Sequence, residues 1–445
     1  IVSCTNEASI DYAVITGKII NTNTNEITVY GISDRDFREK ITLAEDGSFT
    51  DTIKVSGEFL FSQGKNRTPL YLTSGSNITI NFDAKDFKNT LVISGKGSEI
   101  STYLIAKREK EKELMGTGTD VYVKEEAEYK KTVFGIKTAH ETLLVENIGI
   151  ANDYQTKEKR NINYAYLEKL NKYKLYHSHY AKKPDFAPSK EFLSELEGLT
   201  FDNVEDFKFS SSYYSLVSSH YQQKASDLAK KDSIKGDFAM LKVGSTIENE
   251  TIKNGLLYNA AKYGITYTDN LEGFYTAYMA SSTDKGNNDK ITKSYTALKV
   301  LSKGNVSPKF VNYENNAGGT TSLDDLKGKY VYVDVWATWC GPCKREIPFL
   351  QKVEKKYHGK NIHFVSLSID KVADHDKWKK MIVDKNLGGI QVFADNDWNS
   401  KFVTDYLIKG IPRFILIDPS GNIVTSNAPR PSNDKLVELF DELKI

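Results

Sequence analysis

The chain is poor in cysteine, in net charge and in long apolar runs, and each shortage removes a class of protein. Only 3 cysteines occur in 445 residues, too few for a disulfide-stapled extracellular scaffold. Lysine plus arginine number 60 against 59 acidic residues, a formal charge of +1, so nothing draws the whole chain to nucleic acid. The run Lys107-Arg108-Glu109-Lys110-Glu111-Lys112 alternates in sign and reads as a solvated helix face. No stretch approaches the roughly 18 consecutive apolar residues of a membrane-spanning helix. Also missing are a Ser/His/Asp arrangement, a phosphate-cradling glycine loop and an internal repeat of fixed period.

A chain of 445 residues exceeds one ordinary core, so several domains are expected. Residues 10–96 read as a β-rich N-terminal domain. Ile78-Thr79-Ile80-Asn81-Phe82 alternates apolar and polar, and Leu91-Val92-Ile93 reads as a short buried run. Glu45-Asp46-Gly47-Ser48 and Ser74-Gly75-Ser76-Asn77 supply turns, which together predict a small antiparallel sandwich. Residues 97–303 take a helical period and read as an all-α middle domain. Charged, tyrosine-rich helices are expected over 121–147 and 151–182, with shorter ones over 190–196, 269–280 and 289–301. Ser245-Thr246-Ile247-Glu248 reads as a capping box opening a helix over 247–263. Asp284-Lys285-Gly286-Asn287-Asn288 reads as a polar spacer.

From 304 to 445 strands and helices alternate. Strands are expected at 330–336, 362–369, 390–394, 413–418 and 422–425, with helices at 343–357, 375–386, 399–407 and 434–443. This pattern predicts an α/β domain whose sheet has a parallel part and helices on both faces. Asp418-Pro419-Ser420-Gly421 should join the last two strands as a hairpin.

The chemistry concentrates at Trp339-Cys340-Gly341-Pro342-Cys343, between an apolar strand and a helix. A thiol at a helix N-terminus meets unpaired N–H groups and the positive end of the dipole, which favour thiolate. A second thiol one turn inside is placed to resolve a mixed disulfide. Half a zinc site is the alternative, but zinc needs two more nitrogen or sulfur ligands. The remaining cysteine is Cys4, and no His-x-x-x-His pair follows the motif. Redox chemistry is therefore expected, with no metal and no cofactor beyond a Cys340–Cys343 disulfide.

Ile1-Val2-Ser3-Cys4 has the apolar, small, small, cysteine order of a bacterial lipobox. In lipoproteins of that type the cysteine is acylated, and residues 1–9 would form lipobox and tether. Multiple acyl chains on Cys4 suffice for stable anchoring, which predicts a membrane-tethered protein of a Gram-negative envelope, facing the periplasm. The plainer reading is a stray cysteine in a tail.

With strand, Cys-Gly-Pro-Cys and helix in place, residues 305–445 resemble the thioredoxin fold, and more closely its TlpA/ResA branch of envelope thiol–disulfide oxidoreductases. Val306-Ser307-Pro308-Lys309-Phe310 resembles that branch's first strand, and Ser322-Leu323-Asp324-Asp325-Leu326-Lys327-Gly328-Lys329 its lead-in to the central strand. The N-terminal β segment resembles, more weakly, the domain found ahead of such modules in envelope lipoproteins. The resemblance implies Cys340 as an exposed nucleophile and Cys343 as the shielded resolving thiol. Gly341-Pro342 puts no charged or imidazole group between them, on the side of reducing couples such as thioredoxin at about −270 mV.

Asp334 lies six residues before Cys340 in an otherwise apolar strand, where a lone carboxylate is costly unless protonated or paired. The plainer reading is a strand-end residue reaching solvent or capping backbone. The resemblance makes it the acid that takes the proton from the resolving thiol. It also places Ser366 where thioredoxins often carry a lysine partner. Glu346 lies three residues beyond Cys343, close to the same helix face; alone that fits any surface glutamate, but the family places a glutamate near its disulfide. Pro348 should kink the helix. Gly410-Ile411-Pro412-Arg413 implies a cis Ile411–Pro412 peptide beside Cys340, its Ile411 backbone free to pair with an extended substrate. Trp339 is expected as an apolar docking surface and Trp336 as core.

Other signals read as ordinary packing, namely His177-Ser178-His179 and the tyrosines 164, 166, 173, 176, 213 and 214 among 26 in the chain. The expected function is an anchored envelope protein-disulfide reductase. It would act on cysteine-containing envelope proteins, apocytochromes c awaiting haem among them, and draw electrons from a membrane thiol donor. Two alternatives stay open: an oxidase or isomerase, and a binding or assembly module with an accessory redox domain.

Overall fold

Alternating residues between glycine turns fold as eight strands in the first part of the chain. These are β1 (Ala13–Ile20), β2 (Glu26–Gly31), β3 (Arg38–Thr42), β4 (Ser48–Ile53), β5 (Gly57–Gln63), β6 (Asn66–Leu72), β7 (Asn77–Asp83) and β8 (Val92–Lys96). The computed structural model describes residues 10–34 and 36–445. The lipobox and Cys4 lie outside the described residues. Two four-stranded sheets, ordered β4-β1-β7-β8 and β3-β2-β5-β6, close on a core that includes Ile15, Val29, Phe59, Phe61, Ile78 and Ile80.

Two expectations for this region are corrected. The sandwich is not wholly antiparallel, because β1 and β7 pair in parallel; they are distant in sequence, so no hairpin dictates their direction. Leu91-Val92-Ile93 is not a buried run either. β8 is an edge strand with β7 as its neighbour, and Val92 is 56% exposed.

The chain forms two compact units, 1–221 and 222–445. In the first, the helices Glu99–Met115, Glu126–Glu146 and Asn152–Tyr180 follow the sandwich. Their tyrosines pack as expected. Tyr173 stacks on Tyr129 with ring centroids 4.4 Å apart, and buried His177 meets the Tyr122 carbonyl at 2.9 Å through Nδ1.

The second unit opens with the helices Gly236–Gly244, Glu250–Gly264, Leu271–Ser281 and Lys285–Lys299. Asn249 caps the second of these, its Oδ1 accepting from the Thr251 and Ile252 amides at 3.1 and 3.2 Å. The capping box expected at Ser245 is absent, because that hydroxyl donates to the Lys242 carbonyl and closes the preceding helix. The expected spacer 284–288 is the first turn of the fourth helix, capped by Asp284 accepting from the Asn287 amide at 2.8 Å.

A seven-stranded sheet follows, built from β9 (Tyr313–Asn315), β10 (Thr320–Thr321), β11 (Tyr330–Trp336), β12 (Ile362–Ser368), β13 (Ile390–Phe393), β14 (Arg413–Ile417) and β15 (Ile423–Thr425). Its order is β10-β9-β13-β12-β11-β14-β15. β11, β12 and β13 run parallel, while β14 and β15 form the expected antiparallel hairpin. The resemblance placed a first strand at 306–310; here Val306 makes only an isolated bridge to Asn422.

One face of the sheet packs Tyr332, Leu350, Val353, Phe414, Leu436 and Phe440. The other face joins Val333, Leu367, Trp378 and Ile415 to Leu257, Ile265, Phe274 and Tyr278 of the four helices in one cluster. Those helices therefore share the core of the C-terminal sheet, where the sequence reading set a domain edge at 303/304. A helical period alone does not say which neighbour a helix covers. The protein is multidomain, with N-terminal sheets, a helical middle region and a C-terminal α/β domain whose sheet is partly parallel, as the resemblance implied. No helix among the described residues is long and apolar enough to cross a membrane.

Candidate active site

β11 is an interior strand of its sheet, between β12 and β14, and its side chains alternate between the two faces. Val331, Val333 and Val335 enter the shared cluster, whereas Tyr332 packs with Leu350 and Val353 of the helix Gly341–Lys356. Asp334, two residues on, shares the Tyr332 parity and so faces that helix. The strand ends at Trp336, which is buried as expected.

The chain then turns, the Cys340 amide donating to the Ala337 carbonyl at 3.0 Å. Cys340 is the helix N-cap, and its Sγ accepts from the Cys343 amide at 3.1 Å. Pro342 occupies the first turn, where its missing N–H leaves nothing unpaired. Cys340 and Cys343 form a disulfide with Cα atoms 5.3 Å apart. One expectation fails here: Cys340 is only 4% exposed, no more than Cys343. In the disulfide its sulfur is tied inward, and both cysteines join the cluster shared with the four helices. Trp339 is 53% exposed, its ring 6.3 Å from that of Trp398.

Asp370 fixes the approach to the motif. Fully buried after β12, it accepts from the Thr338 amide at 2.9 Å, the Thr338 hydroxyl at 2.7 Å and the Ser368 hydroxyl at 2.8 Å. Three donors on one carboxylate lock the backbone just before Trp339.

Asp334 on β11 and Glu346 and Glu354 on the helix that follows form a group of acids. Asp334 is 9% exposed, and its Oδ1 has no hydrogen-bond partner. Ser366 is its register partner on β12, so no lysine faces it there. Burial first, then the Glu346 and Glu354 charges, push its carboxyl up to about 8. Glu346 is buried and oriented by Ser432, whose amide and hydroxyl donate to it at 3.0 and 2.9 Å. Glu354, two turns further along the helix, is pushed up to about 7 by burial.

The Ile411–Pro412 peptide is cis. Val335 of β11 pairs with Arg413 of β14 in antiparallel register, so Pro412 comes level with Trp336. The proline thus lies at the sheet end from which the Cys340 turn departs.

The sequence reading missed Asp370, Glu354 and Tyr267, the last of which donates to the Gly410 carbonyl at 2.9 Å. A carboxylate directly after an apolar strand was a readable signal for Asp370. So was the eight-residue interval from Glu346 for Glu354, which repeats a helix face. Tyr267 lies 143 residues from its partner and had no such signal. Among the described residues no group of three or more potential metal ligands occurs.

Residues 302–439 match the Redoxin family. The thiol-disulfide oxidoreductase ResA of Bacillus subtilis (strain 168) is 32% identical over 132 residues, 29% of this chain and 69% of that protein. ResA of Bacillus anthracis is 32% identical over 121 residues, 27% of this chain and 66% of that protein. The chain thus spans about two thirds of the length of these curated relatives. A solution structure from Bacteroides vulgatus, assigned as a thiol-disulfide oxidoreductase, is 51% identical. It covers 32% of this chain and 92% of its own, with a TM-score of 0.29.

Proposed function

The chain belongs to the ResA-like thiol-disulfide oxidoreductases, and from that premise we propose that it reduces disulfides in exported proteins from a lipid anchor at Cys4. The observation that carries the reading is the Cys340–Cys343 pair at a helix N-terminus, backed by the buried carboxyl of Asp334.

In the reduced enzyme the Cys340 thiolate attacks one sulfur of a substrate disulfide. That S–S bond breaks, the distal substrate sulfur leaves as thiolate, and a mixed disulfide forms. Cys343 then gives its proton to Asp334 and attacks the Cys340 sulfur. The second substrate sulfur leaves, and the Cys340–Cys343 bond closes. The substrate gains two electrons, the enzyme's dithiol is oxidised, and the two substrate thiolates take one proton returned by Asp334 and one from water. A carboxyl pushed up to about 8 lies close to the ordinary thiol value of about 8.5. Proton transfer between the two is then nearly balanced, which suits a group that takes and returns a proton each cycle. Glu346, held by Ser432, adds negative charge that makes the ionised form of Asp334, the minor form at neutral pH, a stronger proton acceptor.

Trp339 with Gly341, Pro342, Ile411 and Pro412 forms the docking rim in this reading, the Ile411 backbone pairing with an extended substrate segment. Electrons return from a membrane thiol donor. The substrates are cysteine-containing envelope proteins such as apocytochromes c. The lipobox order of residues 1–4 supports periplasm-facing attachment in a Gram-negative envelope.

Direction is supported by the uncharged Gly341-Pro342 gap and tested by equilibrating the couple with glutathione. A potential near thioredoxin's, about −270 mV, fits a reductase, while one near the roughly −120 mV of a strong oxidant overturns that direction. A Cys343→Ser variant should accumulate mixed disulfides through Cys340 and identify the substrates. Labelled palmitate should enter the wild type and not Cys4→Ser.

A further inference from the structure

The cis-proline loop is gripped from outside its own sheet. After the helix Glu250–Gly264 the chain turns and presents Tyr267, whose hydroxyl donates to the Gly410 carbonyl at 2.9 Å. Glycine at 410 admits that contact, because a Cβ there would lie 2.9 Å from the hydroxyl. The Tyr267 ring lies beneath the Arg413 guanidinium, 4.3 Å from its central carbon. Arg413 Nη1 donates to Asn427 Oδ1 at 3.1 Å, and Asn427 Nδ2 donates to the Tyr267 carbonyl at 2.7 Å. Lys409 adds a hydrogen bond to the Lys262 carbonyl at 3.2 Å. Contacts thus fall on both sides of Ile411–Pro412, at Lys409 and Gly410 before it and at Arg413 after it.

Arg413 makes this circuit hard to dismiss as incidental packing. It is 2% exposed, and no ion pair to it occurs among the described residues. Burial pushes its pKa down, opposed by Tyr267. A buried cation without a carboxylate is costly, and the aromatic face with one amide oxygen is what offsets it here. Removing one member strips the others of partners, so the circuit acts as a unit.

We infer that Tyr267 is a positioning residue for protein substrates, through which the helical layer 236–299 sets the Ile411 backbone in register for strand pairing. The inference rests on the reductase reading above, in which Ile411 is the pairing residue. It gives the helical layer a part in substrate docking. A small disulfide needs no strand pairing and bypasses the circuit.

The test uses the full chain, pre-reduced and desalted, in single-turnover oxidation by insulin and by 2-hydroxyethyl disulfide. Tyr267→Phe removes the hydroxyl and keeps the ring over Arg413. Asn427→Ala breaks the circuit from the other side and serves if one variant folds poorly. In either variant the half-saturating insulin concentration should rise about fivefold, the loss of one neutral hydrogen bond. The rate with hydroxyethyl disulfide and the Cys340–Cys343 potential should stay at wild-type values, and the double variant should be no worse than the larger single. Wild-type insulin kinetics in both variants overturn the inference. So does an equal slowing with both oxidants or a shifted potential, which would place the effect on the dithiol. A wild type that reduces neither oxidant refutes the reductase reading and the inference with it. One that reduces only the small disulfide leaves the loop no protein substrate and overturns the inference alone.

Discussion

Replacing Asp334 with asparagine should flatten the pH dependence of stability in the C-terminal unit. Its carboxyl is raised from 3.8 to about 8, and at roughly 1.36 kcal/mol per pH unit ionising it in the fold costs about 6 kcal/mol more than in the unfolded chain. Between those two values the folded state keeps a proton that the unfolded state releases. Stability therefore falls as pH rises through that window, and levels off above about 8. By pH 7 about 4 kcal/mol of the loss has accrued. An asparagine carries its own burial cost, but that cost does not vary with pH. The informative quantity is thus the slope of the difference between variant and wild type, about 3 kcal/mol between pH 5 and pH 7.5 in favour of Asp334→Asn.

Urea unfolding of the oxidised protein measures it, with tryptophan fluorescence as the signal. The chain's 4 tryptophans, Trp336, Trp339, Trp378 and Trp398, all lie in the unit 222–445, so the N-terminal unit is silent. A difference constant to within about 0.5 kcal/mol across that pH range would refute the reasoning, because Asp334 would then titrate alike in both states.

Glu346→Gln removes a like charge that holds the Asp334 carboxyl up. The Asp334-dependent limb of the pH–rate profile for mixed-disulfide resolution should move to lower pH, and an unmoved or raised limb counts against the coupling. Asp370→Ala strands the Thr338 amide and hydroxyl and the Ser368 hydroxyl and should cost at least about 3 kcal/mol in the same unfolding assay; a loss under 1 kcal/mol would show that water replaces the carboxylate. Trp339→Ala removes a half-exposed ring and should leave stability within about 0.5 kcal/mol of wild type. It should weaken insulin turnover but not turnover of hydroxyethyl disulfide.

The C-terminal sheet was legible in the sequence because its strands are apolar runs of ordinary length between helical periods. β11 was placed at 330–336, as found. The carboxylate inside that strand was equally readable, and its serine partner on β12 was placed by the family resemblance. The parallel pairing of β1 with β7 was not, because alternation fixes which face a residue takes but not its neighbour's direction. Nor was the burial of Cys340, because a thiol's exposure depends on tertiary neighbours that a local motif does not name. Asn249 outcompeted Ser245 as a cap through side-chain geometry that a four-residue pattern does not encode.

The cluster shared between helices 236–299 and the sheet also has a consequence for synthesis. Leu241 leaves the ribosome 176 residues ahead of Ile417, an interval of roughly ten to thirty-five seconds at ordinary elongation rates. Through that interval the four helices can pack on one another, but the cluster they belong to lacks its sheet members, and the apolar surface left uncovered is open to any chaperone or translocation partner that binds it. The cluster is complete only when β14, which begins at Arg413, and then Ile423 of β15 arrive.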